Sequence, residues 1–185
     1  MPLKFGQGFA NQVRCRLPTA GDKWHMDEAV LTITAVKHWL WRPVDQTGTV
    51  LGILVQSQRD TKAAKRVLRK LMKRQCRTLR VMVTDKLASY GVAKRDVMPS
   101  VVSGAQEAQG LNNRAENSHQ PTRRREQQMK RFKVAGQAQR FLSAHDGTNN
   151  LFLLRRHDVP AAQYKAARTK AMQVWAEVTG VAAAA

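Results

Sequence analysis

At 185 residues, 43% of them hydrophobic, the chain is long enough to bury a core and too apolar to stay disordered. Lys and Arg number 32 against 13 Asp and Glu, a net charge of +19, which points to a polyanionic partner: nucleic acid first, an anionic membrane surface second. No stretch is apolar for long enough to span a bilayer, the first residues hold no apolar signal core, and Cys15 and Cys76 are too far apart for zinc spacing. The expectation is a cytoplasmic protein with free thiols.

Residues 1–22 read as a lead-in closed by Pro18 and Gly21. "WHMDEAVLTIT" (24–34) has strand composition, "VKHWLWRPVD" follows, and after the turn signal "DQTG" comes "TVLGILVQS". These predict three strands in an antiparallel meander. In "RDTKAAKRVLRKLMKRQC", Ala64, Val67, Leu68, Leu71 and Met72 recur at helical spacing, with Asp60 at the start. Lys62, Lys65, Arg66, Arg69, Lys70 and Lys73 fill the rest of that surface. A merely solvated face usually mixes both signs, so phosphate contact is the reading preferred for these six.

"LRVMVTD" (79–85) is an apolar run that a helix separates from the meander, so a crossover lets it lie parallel to an earlier strand. A short helix in "KLASYGVAKRDVMP", a fifth strand at "SVV" (100–102) and helices over about 112–131, 136–145 and 160–178 complete the chain. In the last, Tyr164, Ala167, Ala171, Val174, Trp175 and Val178 form one apolar stripe, read as core packing. The order predicts an α/β fold, a mixed sheet with helices packed on it. Its divisions are a lead-in at 1–22, a core at 23–145 and a helical extension at 146–185.

With so few acids, each is weighed alone. Alternation along the first strand puts His25 and Asp27 on one face and Trp24, Met26 and Glu28 on the other. Asp85 ends an apolar strand, where ligand sites of open α/β sheets gather. If 79–85 runs parallel beside 23–34, Asp27 and Asp85 become neighbours that a divalent cation such as magnesium holds together. Asp45, in "DQTG", is explained as a turn residue. Glu116 follows Asn113 at capping-box spacing, so the residues alone favour a helix cap over a third ligand. Pro121 either starts that helix, leaving Glu116 in a loop, or kinks it.

"WHMDE", "VTDKLASYG" and "LNNRAENSHQPTRRRE" resemble the three acidic motifs of bacterial DDE transposases, most closely the insertion sequence six family. The similarity extends over about 4–178. It implies a ribonuclease-H-like fold with Asp27, Asp85 and Glu116 as catalytic residues holding two Mg2+ (or Mn2+) ions, and it places the family's basic residue on Arg123. It further implies metal-dependent cleavage of transposon ends and their transfer to target DNA by a homodimer or larger assembly, in the bacterial cytoplasm and on its nucleoid. Arg123, Arg124, Arg125, Lys130 and Arg131 would join the 62–73 face in holding DNA phosphates. His119 is either a contact to the scissile phosphate or a plain polar helix position, the second being preferred.

Two departures accompany the resemblance. Family members carry an N-terminal helix-turn-helix, and the 22 residues before the first strand are too few for one. The interval between Asp85 and Glu116 is also shorter than usual, and it reads "VVSGAQEAQG" where a Glu-His-Arg-Gln-like segment is expected. The alternatives to an active transposase are a remnant that binds DNA without sequence preference and, more remotely, a ribonuclease-H-like nuclease.

Overall fold

The computed structural model describes residues 2–17, 20–75, 80–84, 88–99, 119–128, 131–154 and 159–180. They form two compact units, 20–139 on one hand and 1–19 with 140–185 on the other.

The larger unit begins with β1 (Lys23–Met26), β2 (Glu28–Ile33), β3 (Val36–Trp41), β4 (Val44–Asp45) and β5 (Leu54–Gln56). The expected single strand over 24–34 is thus two, parted at Asp27. β2, β3 and β5 are the predicted antiparallel meander, while β1 lies between β4 and β6 (Val81–Thr84). The β1–β4 and β2–β3 ladders keep one register, since His25 pairs with Val44 and Glu28 with Trp41. That register sets Arg42 opposite Asp27, whose carbonyl accepts the Arg42 N–H at 3.1 Å. It sets Pro43 opposite Met26, a position between hydrogen-bonded pairs where the missing proline N–H costs this ladder nothing. The strand pairing is interrupted at Asp27, between the His25–Val44 and Glu28–Trp41 pairs.

The β2–β3 connection is a two-residue turn at Thr34 and Ala35, with φ of 49° and 64°. Both lie in the left-handed region that such hairpins require and that glycine or asparagine normally fills. Thr34 recovers one hydrogen bond, from Oγ1 to the Lys133 carbonyl at 2.8 Å. Ala35 recovers none of its steric cost, so Ala35→Gly should raise the urea midpoint by about 0.5–1 kcal/mol of stability. An unchanged or lower midpoint would refute the assignment of strain to this turn.

β6 runs parallel to β1, from Lys23↔Val81 to Met26↔Thr84, as the crossover predicts. α2 (Thr61–Gln75) is that crossover. The Asp60 carboxylate caps it by accepting the Ala63 N–H at 2.7 Å. Its apolar positions Ala63, Ala64, Val67, Leu68 and Leu71 are buried against Trp24, Met26, Trp41 and Met82. α3 (Ala88–Val97) adds Tyr90 and Ala93 to the same core. His25, on the opposite face of β1, is also buried, so β1 is covered on both sides.

α4 (Gln120–Gln128) places Pro121 in its first turn, where a missing N–H costs nothing. Of the two readings of Pro121, the helix start is the one realised. The "SVV" strand falls outside the described residues. The first turn of α5 (Ala135–Phe152) closes an open strand edge, because Gln139 Oε1 accepts the Val55 N–H at 2.8 Å and its Nε2 donates to Ile53 O at 3.2 Å.

The smaller unit joins α1 (Pro2–Arg16), the remainder of α5 and α6 (Ala161–Thr179). The lead-in is thus a helix, and it packs on α6 around Val13, Leu151, Ala171 and Val178. A Cβ at Gly147 would lie 3.4 Å from that of Ala10, so α1 and α5 approach closely there. The apolar stripe of α6 is only half realised as core: Ala171 and Val178 are buried, whereas Ala167 and its neighbours in the first turns are exposed.

Candidate active site

The described acids sort by what their oxygens already hold. Asp45 is buried, and its carboxylate accepts from Gly21 N, Thr47 N, Thr47 Oγ1 and Thr49 N. That is the turn residue the sequence announces, saturated by neutral donors. Asp22 pairs with Arg80 Nε at 2.7 Å, Asp96 with Lys65, and Glu28 with Arg59. Asp60 caps α2.

Asp27 stands apart from these. It follows the last residue of β1, and its side chain is 13% exposed. Oδ1 accepts the Glu28 N–H at 2.9 Å. Oδ2 lies 3.2 Å from His119 Nε2, but the ring N–H is not aimed along that line, so no hydrogen bond forms. His119 itself is buried, and neither ring nitrogen has a hydrogen-bond partner. Among the described residues, a nearly buried carboxylate and a buried imidazole thus stand side by side without a hydrogen bond between them, an arrangement packing alone does not explain.

The preferred sequence reading of His119 as a plain polar helix position is therefore corrected. It precedes α4 and is buried against Asp27. Nothing in its local sequence tells this, because its contact is with Asp27, 92 positions earlier in the chain. A His three places after Glu116 is the one available signal.

Asp85 and Glu116 lie outside the described residues, as does Lys130. Among the described residues no three His, Cys, Asp or Glu side chains converge. Asp85 directly follows Thr84, the β6 residue that pairs with Met26.

The basic groups differ in exposure and in the hydrogen bonds they make. On α2, Lys65 is taken by Asp96, whose carboxyl is held below its ordinary range by that hydrogen bond and charge. Arg66 donates to Gln56 Oε1 at 2.6 Å, and Lys70 donates to Ile53 O at 3.0 Å. Lys62, Arg69 and Lys73 are exposed. On α4, Arg123, Arg124 and Arg125 are exposed, Arg125 donating to Gln128 Oε1 at 3.1 Å. Arg123 and Arg131 line a groove of about 760 Å3 along β2, with Glu28, Thr32 and Glu126. Burial raises the Glu126 carboxyl above its ordinary value, against the opposing pull of Arg131 and Arg123.

No helix among the described residues is long and apolar enough to cross a membrane.

Comparison with known proteins places this geometry. No curated protein matches the chain. Among solved structures, the catalytic domain of Mos1 transposase, solved with Raltegravir and Mg, superposes with a TM-score of 0.53 at 13% identity, covering 96% of this chain and 94% of that one. The Mos1 mariner catalytic domain gives 0.52 at 13% identity, over 96% and 93%. A chain of the simian T-cell lymphotropic virus intasome bound to PP2A regulatory subunit B56 gamma gives 0.50 at 13% identity, over 78% of this chain and 51% of that one. The chain thus spans about half the length of the intasome protein. These likenesses establish the fold, the ribonuclease-H-like α/β core of transposases and integrases. The transposase family described as "DDE domain" matches residues 21–155, and the chain belongs to that family.

Proposed function

We propose that this chain catalyses metal-dependent DNA cleavage and strand transfer in transposition, with Asp27, Asp85 and Glu116 as the catalytic carboxylates. The observation that carries the reading is Asp27, a carboxylate at the carboxyl end of a central strand with one oxygen that accepts no hydrogen bond among the described residues and lies 3.2 Å from the buried His119. Its oxygen suits a hard divalent cation, Mg2+ or Mn2+, two of which are proposed per site. When bound, such ions activate the attacking oxygen and stabilise the leaving oxygen of a phosphoryl displacement.

The protein's own groups do the rest. Asp27 is held by the Glu28 N–H, so its free oxygen keeps one direction. His119 flanks that oxygen and limits its swing. Arg123 and Arg131, in the groove along β2, take phosphates together with Arg124, Arg125, Lys130 and the α2 face of Lys62, Lys65, Arg66, Arg69, Lys70 and Lys73. Because several α2 groups already have internal partners, the exposed Lys62 and Arg69 carry most of that helix's share. The substrates are transposon ends and target DNA, brought together by a homodimer or larger assembly in the cytoplasm.

Manganese titration by calorimetry tests the centre. The wild type should bind, and Asp85→Asn should not. Equal binding in both would remove Asp85 from the ligand set. No binding in either would favour the remnant reading, which the short Asp85–Glu116 interval supports: a fold that holds DNA by salt-sensitive phosphate contacts without catalysing anything.

A further inference from the structure

Glu28 is the neighbour of Asp27 in sequence and its opposite in direction. Its side chain is 1% exposed, on the face that carries Trp24 and Met26. A buried carboxylate needs compensation, and two elements supply it. Arg59, just ahead of α2, pairs with Oε1 through its guanidinium, which also stacks over Trp39 at 4.9 Å from the ring centroid. Tyr90 donates its hydroxyl to Oε2 at 3.1 Å. The Tyr90 ring is fixed in turn by Trp41, at 5.5 Å and nearly perpendicular. Trp41 is the residue paired with Glu28 across the β2–β3 ladder.

Tyr90 sits in the first turn of α3, the helix the chain enters soon after Asp85. One carboxylate thus fastens the backbone carrying Asp27 to the helix that follows Asp85. If stability were the only outcome selected, an apolar residue of similar volume would serve as well or better at such a buried place. An ion pair with a directed tyrosine hydroxyl adds what packing lacks, a fixed orientation.

We propose that Glu28 is a positioning residue of the active site, acting with Arg59 and Tyr90 to set the separation between the Asp27 backbone and α3. The inference rests on the assignment of Asp27 and Asp85 as metal ligands. It deepens that assignment by adding a support whose carboxylate is held by Arg59 and Tyr90. Glu28→Gln keeps the volume and removes the charge; Tyr90→Phe keeps the ring against Trp41 and removes only the hydroxyl.

The test is manganese affinity by calorimetry on the full chain, alongside thermal melts and the metal concentration giving half-maximal DNA strand joining. Both variants should weaken manganese binding about tenfold, the low end for groups that support metal ligands indirectly. The half-saturating metal concentration should shift equally, and the rate at saturating metal should return to within about twofold of wild type. Tyr90→Phe, the milder change, should do this with its melting temperature nearly unchanged. Variants that melt early yet bind manganese as the wild type does would overturn the proposal and leave Glu28 a purely structural residue. A wild type that binds no manganese would instead sink the metal-site reading, and the positioning role with it.

Discussion

Asp27→Asn should reduce metal-dependent joining of a DNA 3′ end to duplex by on the order of 1,000-fold, about 4 kcal/mol of transition-state stabilisation. The substitution is close to isosteric. The Asn carbonyl can still accept the Glu28 N–H that Oδ1 accepts now, and the amide can turn toward His119. The fold and its melting temperature should therefore stay within a few degrees of wild type. What disappears is the negative charge on an oxygen that accepts no hydrogen bond among the described residues and has the His119 ring 3.2 Å away. DNA affinity should hold or rise slightly, since one repulsive charge leaves a strongly basic protein. Joining within tenfold of wild type would remove Asp27 from the catalytic set. Lost joining accompanied by lost DNA binding would show that the residue supports the fold instead.

The largest stability effect is expected at Trp41. It is fully buried, meets Tyr90 edge to face, and sits in the cluster that α2 packs against. Truncation to alanine should cost about 3–5 kcal/mol, the usual range for a buried aromatic whose cavity cannot collapse. Its indole N–H is buried without a hydrogen-bond partner. Trp41→Phe removes that unsatisfied donor along with some volume, so the loss and the gain oppose each other, and its cost should be about 1 kcal/mol. Urea unfolding followed by circular dichroism separates the two variants. Similar midpoints for both would mean that the indole volume does not hold the sheet to its helices.

The contrast between these two residues shows how far the sequence could be read. α2 was legible because its apolar residues repeat at 3.6 with only one surface to bury, and Asp45 was legible because "DQTG" needs nothing from elsewhere. The parallel pairing of β6 with β1 followed from the crossover rule. The break at Asp27 was hidden, since "WHMDEAVLTIT" is uninterrupted and carries no turn residue at that point. The Thr34–Ala35 turn carried no glycine or asparagine to betray it. α1 was missed because Gly6 and Gly8 weaken its helical pattern, leaving the packing around Val13 to decide. For His119, local polarity pointed to the surface while tertiary contact buried it. Glu116 rests on the family resemblance, and Asp85 on that resemblance together with its place at the end of an apolar strand.

The parallel β1–β6 pairing also bears on the order in which the chain matures. Lys23 and Val81 must meet across the whole meander and α2, and closing so long a loop delays the contact until nearer pieces have formed. The meander and α2, built from neighbours in the chain, can assemble first. The neighbourhood of Asp27, proposed above as catalytic, is then completed late, after the basic face of α2 has formed.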